Sequence, residues 1–425
     1  MNNTQNRKIA QVKDEVMVVG IESHYARAFD NRGYEFSAKP FKFENSEQGF
    51  SEFTAWAEDL RIKNGFEKIL HGMEPTGHYW FCLGSYLTKN NMVPVMVNPH
   101  HVKKSKELDD NSPTKNDRKD PKVIAGLVNA GRYNYTYLPE GVYAELRTAS
   151  NLRFNIEAEL TSIKNKVARW FSIYFPEYTK VYSDLEAKSG LALMKVAPMP
   201  EDIVKLGVKG IIQIWKKENL KGIGKDRAER LVAAAQKSIG IRAGKLAAQF
   251  EIKVLIEDFE NKNRQMDETL KVLDDLLKQI PSSEKLLKIK GIGLKTVAGF
   301  LAEVGDLRRF KDAKQVQKYA GLSFKENSSG KDEGKTKINK RGRKRLRYLL
   351  YLASKPLVTH NPEFVELHRY YTKRVKNPLK KIQSLIAVGC KLIRVFYTLM
   401  TKNIEYDAEK LLKDIKRPIE FQPVV

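Results

Sequence analysis

The sequence predicts an α/β domain followed by a mainly α-helical remainder. Two observations carry that reading. Strand-like and helical segments alternate up to about residue 130, and from about Tyr143 the strand signals stop and a four-three apolar spacing takes over. A third observation points to a partner. The 425 residues hold 76 Lys and Arg against 51 Asp and Glu, a formal charge of +25. So large a surplus repels itself unless a polyanion is the usual partner, and phosphate neutralisation makes nucleic acid the first candidate.

The elements follow in chain order. Residues 1 to about 13 are polar and are expected to fray. Glu15 to Ile21 is apolar and rich in β-branched residues, as a buried strand is. Tyr25 to Phe29 is a second strand. Asp30-Asn31-Arg32-Gly33 signals a turn, and Tyr34 to Ser37 returns as a third strand. Helical periodicity covers Ser46 to Ile62, and a strand ends near Glu74. Gly77 to Thr88 reads as a helix, Met92 to Val97 as a strand and Asp117 to Ala130 as a closing helix.

Beyond Tyr143, Ile156, Leu160, Ile163, Val167, Trp170 and Tyr174 step by four and three. Ile252, Ile256, Phe259, Asn263, Met266, Leu270, Leu273, Leu277 and Ile280 do the same. This is the spacing of a coiled-coil seam, and Asn263 is the polar intruder that can fix register. A pair of amphipathic helices in one bundle would show the same pattern. Pro281 closes the second segment. The expected domains are therefore residues 1–135, 136–280 and 281–425.

Cys82 and Cys390 have no cysteine nearby. That excludes a disulfide framework and a cysteine-rich zinc site and suits a reducing cytosol. Both are expected to be buried packing residues. No apolar leader core and no apolar run of eighteen residues occurs, so a cytoplasmic protein with no membrane partner is expected.

Two sets of residues carry chemistry. The first is acidic. Glu22 follows the first strand, Glu74 ends a later one, and Asp117 and Asp120 lie three apart where a helix should start, which puts them on one face. Carboxylates at strand ends facing a carboxylate-bearing helix suit Mg²⁺, which prefers oxygen ligands and assists phosphodiester chemistry. Each acid alone would be an ordinary surface charge; the set of four carries the weight.

The second set lies near the C-terminus. Lys290-Gly291-Ile292-Gly293-Leu294-Lys295 resembles a helix-hairpin-helix turn, in which backbone N–H groups approach phosphate. Lys221-Gly222-Ile223-Gly224-Lys225 is a weaker copy. Tyr319-Ala320-Gly321-Leu322, Ser328-Ser329-Gly330 and Lys337-Ile338-Asn339-Lys340-Arg341-Gly342 follow, and Arg343, Lys344, Arg345 and Arg347 lead into a helix. Lys325 to Lys337 reads as a charged loop ahead of that helix, and Lys325 to Arg347 holds ten basic residues against three acidic ones. A serine there can attack a phosphodiester while arginines hold the phosphate. A plain Ser-Gly turn beside a DNA-contacting helix has the same composition.

Together these motifs resemble the DEDD-type insertion-sequence transposases, whose members include the bridge-RNA-guided recombinases. The resemblance spans nearly the whole chain. It implies an RNase H-like (resolvase-like) N-terminal domain binding Mg²⁺ through Glu22, Glu74, Asp117 and Asp120, a helical coiled-coil middle that mediates subunit contacts, and a mainly α C-terminal domain with a helix-hairpin-helix-like motif. It places the nucleophile on Ser329, with Ser328 one residue away. It further implies a homo-oligomer, dimer or tetramer, whose composite site takes acids from one subunit and serine from another. Donor and target DNA and a structured noncoding guide RNA are the implied partners. Glu22 departs from the family, whose first acid is usually Asp; the extra methylene repositions the oxygen ligand. A metal-dependent nuclease without a covalent intermediate and a non-catalytic nucleic-acid-binding protein are the alternatives.

Overall fold

A computed structural model describes residues 3–75, 77–109, 119–135, 137–220, 224–325, 328–329, 332–333, 337–413 and 415. The chain divides into two compact units, residues 1–138 and 139–425.

In the first unit, α1 (Asn3–Ile9) precedes β1 (Val16–Glu22), β2 (Tyr25–Phe29), β3 (Phe41–Lys42), α2 (Glu47–Lys63), β4 (Lys68–Met73), α3 (Trp80–Lys89), β5 (Pro94–Val97), α4 (Pro99–Asp109), α5 (Asp120–Asn129) and β6 (Tyr133–Tyr135). The sheet order is β3-β2-β1-β4-β5-β6. β1 pairs antiparallel with β2 and parallel with β4; β4 and β5 are parallel, and β6 is antiparallel to β5. Helical crossovers make the parallel pairs, as a strand–helix–strand order demands.

Alternation along β1 splits the core. Met17, Val19 and Ile21 join Phe50, Phe53 and Leu83 from α2 and α3 on one face. Val18 joins Val102, Ile124, Ala125 and Val128 from α4 and α5 on the other. Residues on both faces are buried, which is why β1 is continuously apolar rather than alternating.

Four elements of this unit differ from expectation. The N-terminal segment forms α1 and docks: the Gln5 amide donates to the Ala130 carbonyl at 3.0 Å, and the Tyr133 hydroxyl donates to Gln11 Oε1 at 2.9 Å. The third strand is Phe41–Lys42, not Tyr34 to Ser37. Asp30 accepts from the backbone N–H groups of Arg32 (2.9 Å) and Tyr34 (2.8 Å), which tightens the turn and leaves only one bridge, Phe29 to Glu35. The sequence reading also passed over α4 and β6. The other boundaries shift by a few residues; α3 starts at Trp80 rather than Gly77.

The second unit contains α6 (Gly141–Tyr174), α7 (Tyr178–Val181), α8 (Lys188–Val196), α9 (Pro200–Lys217, kinked at Gly207), α10 (Lys225–Gln236) and α11 (Lys245–Lys278). Next come α12 (Ser283–Leu287), α13 (Leu294–Val304), a 3-10 turn at Leu307–Arg309 and α14 (Ala313–Tyr319). Four two-residue strands follow: β7 (Phe324–Lys325), β8 (Ser328–Ser329), β9 (Asp332–Glu333) and β10 (Lys337–Ile338). The chain then runs through α15 (Lys344–His360), α16 (Pro362–Lys373), α17 (Lys381–Lys402) and α18 (Ala408–Leu412).

The two long helices α6 and α11 pack against each other within one chain. Their seams share a core: Ile156, Leu160, Ile163, Val167 and Trp170 meet Ile252, Ile256, Phe259 and Met266. Asn263 donates to the Phe259 carbonyl of its own helix (3.0 Å). A second core gathers Leu273, Leu277, Leu301, Leu350, Ile393 and Phe396 from α11, α13, α15 and α17. Among the described residues α17 is the helix long and apolar enough to cross a membrane, and its Val388, Leu392, Ile393 and Phe396 belong to that core. Cys82 is exposed on α3, contrary to expectation, because its neighbours Leu83 and Leu87 take the buried side. Burial pushes the half-buried Cys390 thiol up to about 11.

Candidate active site and nucleic-acid interface

The α5 helix packs on the sheet by close backbone contact. A Cβ on Gly20 would lie 1.8 Å from the Pro121 carbonyl oxygen, so the start of α5 rests directly on β1. A Cβ on Gly72, the register partner of Gly20 on β4, would meet Val128 at 2.7 Å and Ile124 at 3.2 Å. Two residues after Gly20, strand alternation puts Glu22 on this same α5 side, while Glu74 follows the last residue of β4. The last pair of the parallel β1–β4 ladder is Ile21 with Met73, and Glu22 and Glu74 are the next residues along the two chains. Asp120 begins α5, immediately before Pro121.

Glu22 is 7% exposed and Asp120 2% exposed, while Glu74 is half-buried. The Lys106 ammonium, from α4, pairs with Asp120. Lys106 escaped sequence reasoning; the signal was Asn98-Pro99, a capping residue followed by proline at a helix start, which announces the helix that carries it. Asp117 lies outside the described residues. Among the described residues no group of three His, Cys, Asp or Glu side chains is close enough to hold a metal ion. The donor chemistry nevertheless suits a hard cation: every member is a carboxylate, two are buried, and an ammonium already sits against one of them.

At the other end of the chain, three motifs meet. The Tyr319 carbonyl accepts from the Arg343 N–H (2.9 Å), and the Gly321 carbonyl from the Lys340 N–H (2.9 Å). A Cβ on Gly342 would lie 2.5 Å from both Gly321 N and Tyr319 O, so only glycine permits the crossing. The Arg347 guanidinium donates to the Ala320 carbonyl at 2.9 Å, and Arg343 Nε donates to the Tyr319 hydroxyl at 2.9 Å. Glu303, buried on α13, lies 3.7 Å from Arg343. These contacts fix the base of β7 and β10, which pair antiparallel. Beyond them β8 and β9 pair Ser328 with Glu333 and Ser329 with Asp332. The charged loop expected from Lys325 is thus built on short ladders, and both serines lie in one strand of the outer pair.

The basic residues divide by role. Arg343 and Arg347 spend donors inside the junction and the exposed Arg345 donates to Asn151 Oδ1 of α6, whereas Lys290, Lys295, Lys337, Lys340, Arg341 and Lys344 are exposed. Gly291 (φ 91) forms the turn between α12 and α13, and exposed Gly293 caps α13. The Lys290 carbonyl accepts from Asn361 Nδ2 (3.1 Å), tying that turn to the start of α16. Of the weaker copy, Lys221 to Ile223 lie outside the described residues, and Gly224 caps α10.

Residues 19–176 match a DEDD transposase family model, described as Transposase, and residues 283–369 match the model described as Transposase IS116/IS110/IS902 family. Together these cover more than half of the chain. The chain is 24% identical over 295 residues to an IS116 insertion-element protein of 44.8 kDa from Streptomyces clavuligerus, spanning 67% of this chain and 71% of the relative. It is 20% identical over 268 residues to the transposase for IS1111A of Coxiella burnetii, spanning 63% and 71%. It is also 20% identical over 301 residues to an IS110 protein of Streptomyces coelicolor, spanning 69% and 72%.

Proposed function

The chain belongs to the IS110/IS116/IS902 family of DEDD transposases, and from that premise we propose that this enzyme cuts and rejoins DNA through a serine nucleophile assisted by acid-held Mg²⁺. The DEDD domain implies an RNase H-like fold, and the transposase family implies action on DNA. The observation that supports the reading is that Glu22 ends β1, Glu74 follows the last residue of the neighbouring parallel strand β4, and Asp120 opens α5, whose start rests on β1.

Glu22, Glu74 and Asp120, with Asp117 as the fourth, are the residues that would hold the ion. When bound, Mg²⁺ supplies charge neutralisation at the scissile phosphate and at the departing oxygen. The Ser329 hydroxyl loses its proton and its Oγ bonds to phosphorus, the P–O3′ bond breaks, and the 3′ oxygen leaves as a hydroxyl. A phosphoserine diester remains, so one phosphodiester is exchanged for another. Rejoining reverses the step with a new 3′ hydroxyl. Exposed Lys340, Arg341, Lys344 and Arg345 hold the backbone, while Arg343 and Arg347 keep the base of the serine-bearing strands in place. A structured noncoding RNA pairing with donor and target would supply sequence choice, consistent with a surplus of 25 positive charges. Oligomers of the chain, dimers or tetramers, would bring the acids and the serine to one linkage.

The test is denaturing electrophoresis of the protein with labelled DNA. Wild type is expected to give a shifted covalent adduct that Ser329→Ala abolishes while DNA binding persists, and Asp120→Asn is expected to slow adduct formation and blunt its Mg²⁺ dependence. If Ser329→Ala still forms the adduct, the role belongs elsewhere, with Ser328→Ala the next arm. Cleavage with no adduct in wild type would make the protein a metal-dependent nuclease instead.

A further inference from the structure

The loop between α16 and α17 has no part in the chemistry above. From Leu367 to Ile404 the chain contains nine Lys or Arg and no Asp or Glu, although 51 acids in 425 residues would place about four or five in a stretch of that length. Four of the cations, Lys373, Lys376, Lys380 and Lys381, are exposed around the loop, and among the described residues none of them forms an ion pair. Elsewhere in this unit the helices follow the solvated pattern: Lys225 with Glu229, Arg264 with Glu268 and Lys278 with Asp274 are neutralised one turn away. Lys380 and Lys381 also open α17, at the positive end of its dipole, where cations cost stability. Their placement works against the fold.

The loop is nonetheless firmly shaped. Arg374 Nε donates to the Asn377 carbonyl at 2.9 Å, the Leu379 N–H donates to the Tyr371 carbonyl at 2.8 Å, and Asn377 takes the left-handed conformation (φ 52). Below it, His368 and Ser384 bond at 2.8 Å and tie α16 to α17. Val375, 99% exposed, stands among the lysines.

We propose that this loop is a second nucleic-acid contact, with duplex DNA as its partner: Lys373, Lys376, Lys380 and Lys381 grip phosphates and Val375 enters the groove. The proposal rests on the transposase reading and names a surface that reading does not use. Duplex DNA fits better than RNA. The B-form major groove, about 12 Å wide, is open to a protruding side chain and displays thymine methyl groups for an apolar tip, whereas the A-form major groove is too deep and narrow.

The experiment is titration of the full chain with a short DNA duplex at several salt concentrations. Replacing Lys376, Lys380 and Lys381 together by Gln is expected to weaken binding at least tenfold near physiological salt. It should also make the log–log salt slope shallower by about 2 to 3, at roughly 0.9 per lost phosphate contact. The corresponding triple Arg variant should keep the wild-type slope, and Val375→Ala should weaken binding several-fold with the slope unchanged. A Gln variant matching wild type in affinity and slope overturns the inference alone, as does one that loses affinity only for a structured RNA of equal length. A wild-type chain that fails to bind duplex DNA at any salt sinks the transposase reading and this inference together.

Discussion

Gly20 shows how little room the acidic site leaves. The Pro121 carbonyl oxygen occupies the space a Cβ would need, and neither backbone can retreat without moving Glu22 or Asp120. Gly20→Ala is expected to destabilise the first unit by about 3 kcal/mol, the upper end of ordinary overpacking. It should also reduce adduct formation in the fraction that folds; urea denaturation beside the adduct assay reads both. An unchanged midpoint would mean that α5 does not rest on β1. The acids themselves could be singled out in the sequence because each sits in a local motif. The reason for Gly20 was not, since the group that excludes a side chain lies a hundred residues further along the chain. Lys106 was hidden for the same reason: its pairing with Asp120 exists only once α4 and α5 are packed.

Among the elements, the long periodic segments were the most readable. The four-three spacing located α6 and α11 but could not tell an inward partner from an outward one, because a seam looks the same whether its mate is the same chain or another. The structure gives the α6 seam to the first half of the α11 seam, whose second half joins α13, α15 and α17. Trp170 is central to that contact: it is 1% exposed, and its Nε1 donates to the Ala248 carbonyl of α11 at 2.8 Å. Trp170→Ala is expected to cost about 3–5 kcal/mol through the cavity and the lost bond. The check is a lowered midpoint in chemical denaturation; a shift of a few tenths would mean that the two helices do not depend on each other. Short elements were the least readable. β3 has two residues and β6 three, too few for a period to register, and the Asp30 turn diverts the strand that alternation proposed.

Over the whole molecule, stability should fall toward acid for an identifiable reason. His71 lies in the core of the first unit at 2% exposure, edge-on to Phe53, and burial lowers its pKa from 6.5 to about 4. The unfolded chain therefore binds a proton below pH 6.5 that the folded chain refuses until about 4. Stability is lost as pH falls through that window, by about 2 kcal/mol between pH 7 and 5, and the loss levels off below the folded value. His71→Phe should remove this part of the acid limb, read as a smaller change in unfolding free energy between the two pH values. Equal changes in the two proteins would exclude His71 as the source. No sequence pattern singled out His71, because a histidine in a strand reads the same whether it faces water or a core. The charge surplus, in contrast, was readable from composition, and only its distribution required the fold.

On the proposed reading, the ammonium of Lys106 against Asp120 bears on ion uptake. A divalent ion arriving at these carboxylates would meet an incumbent and have to displace it, so its apparent affinity would be lowered by the free energy of that displacement. Occupancy would then rise at a higher ion concentration than bare acids require, and the displaced lysine would be free to meet an incoming phosphate.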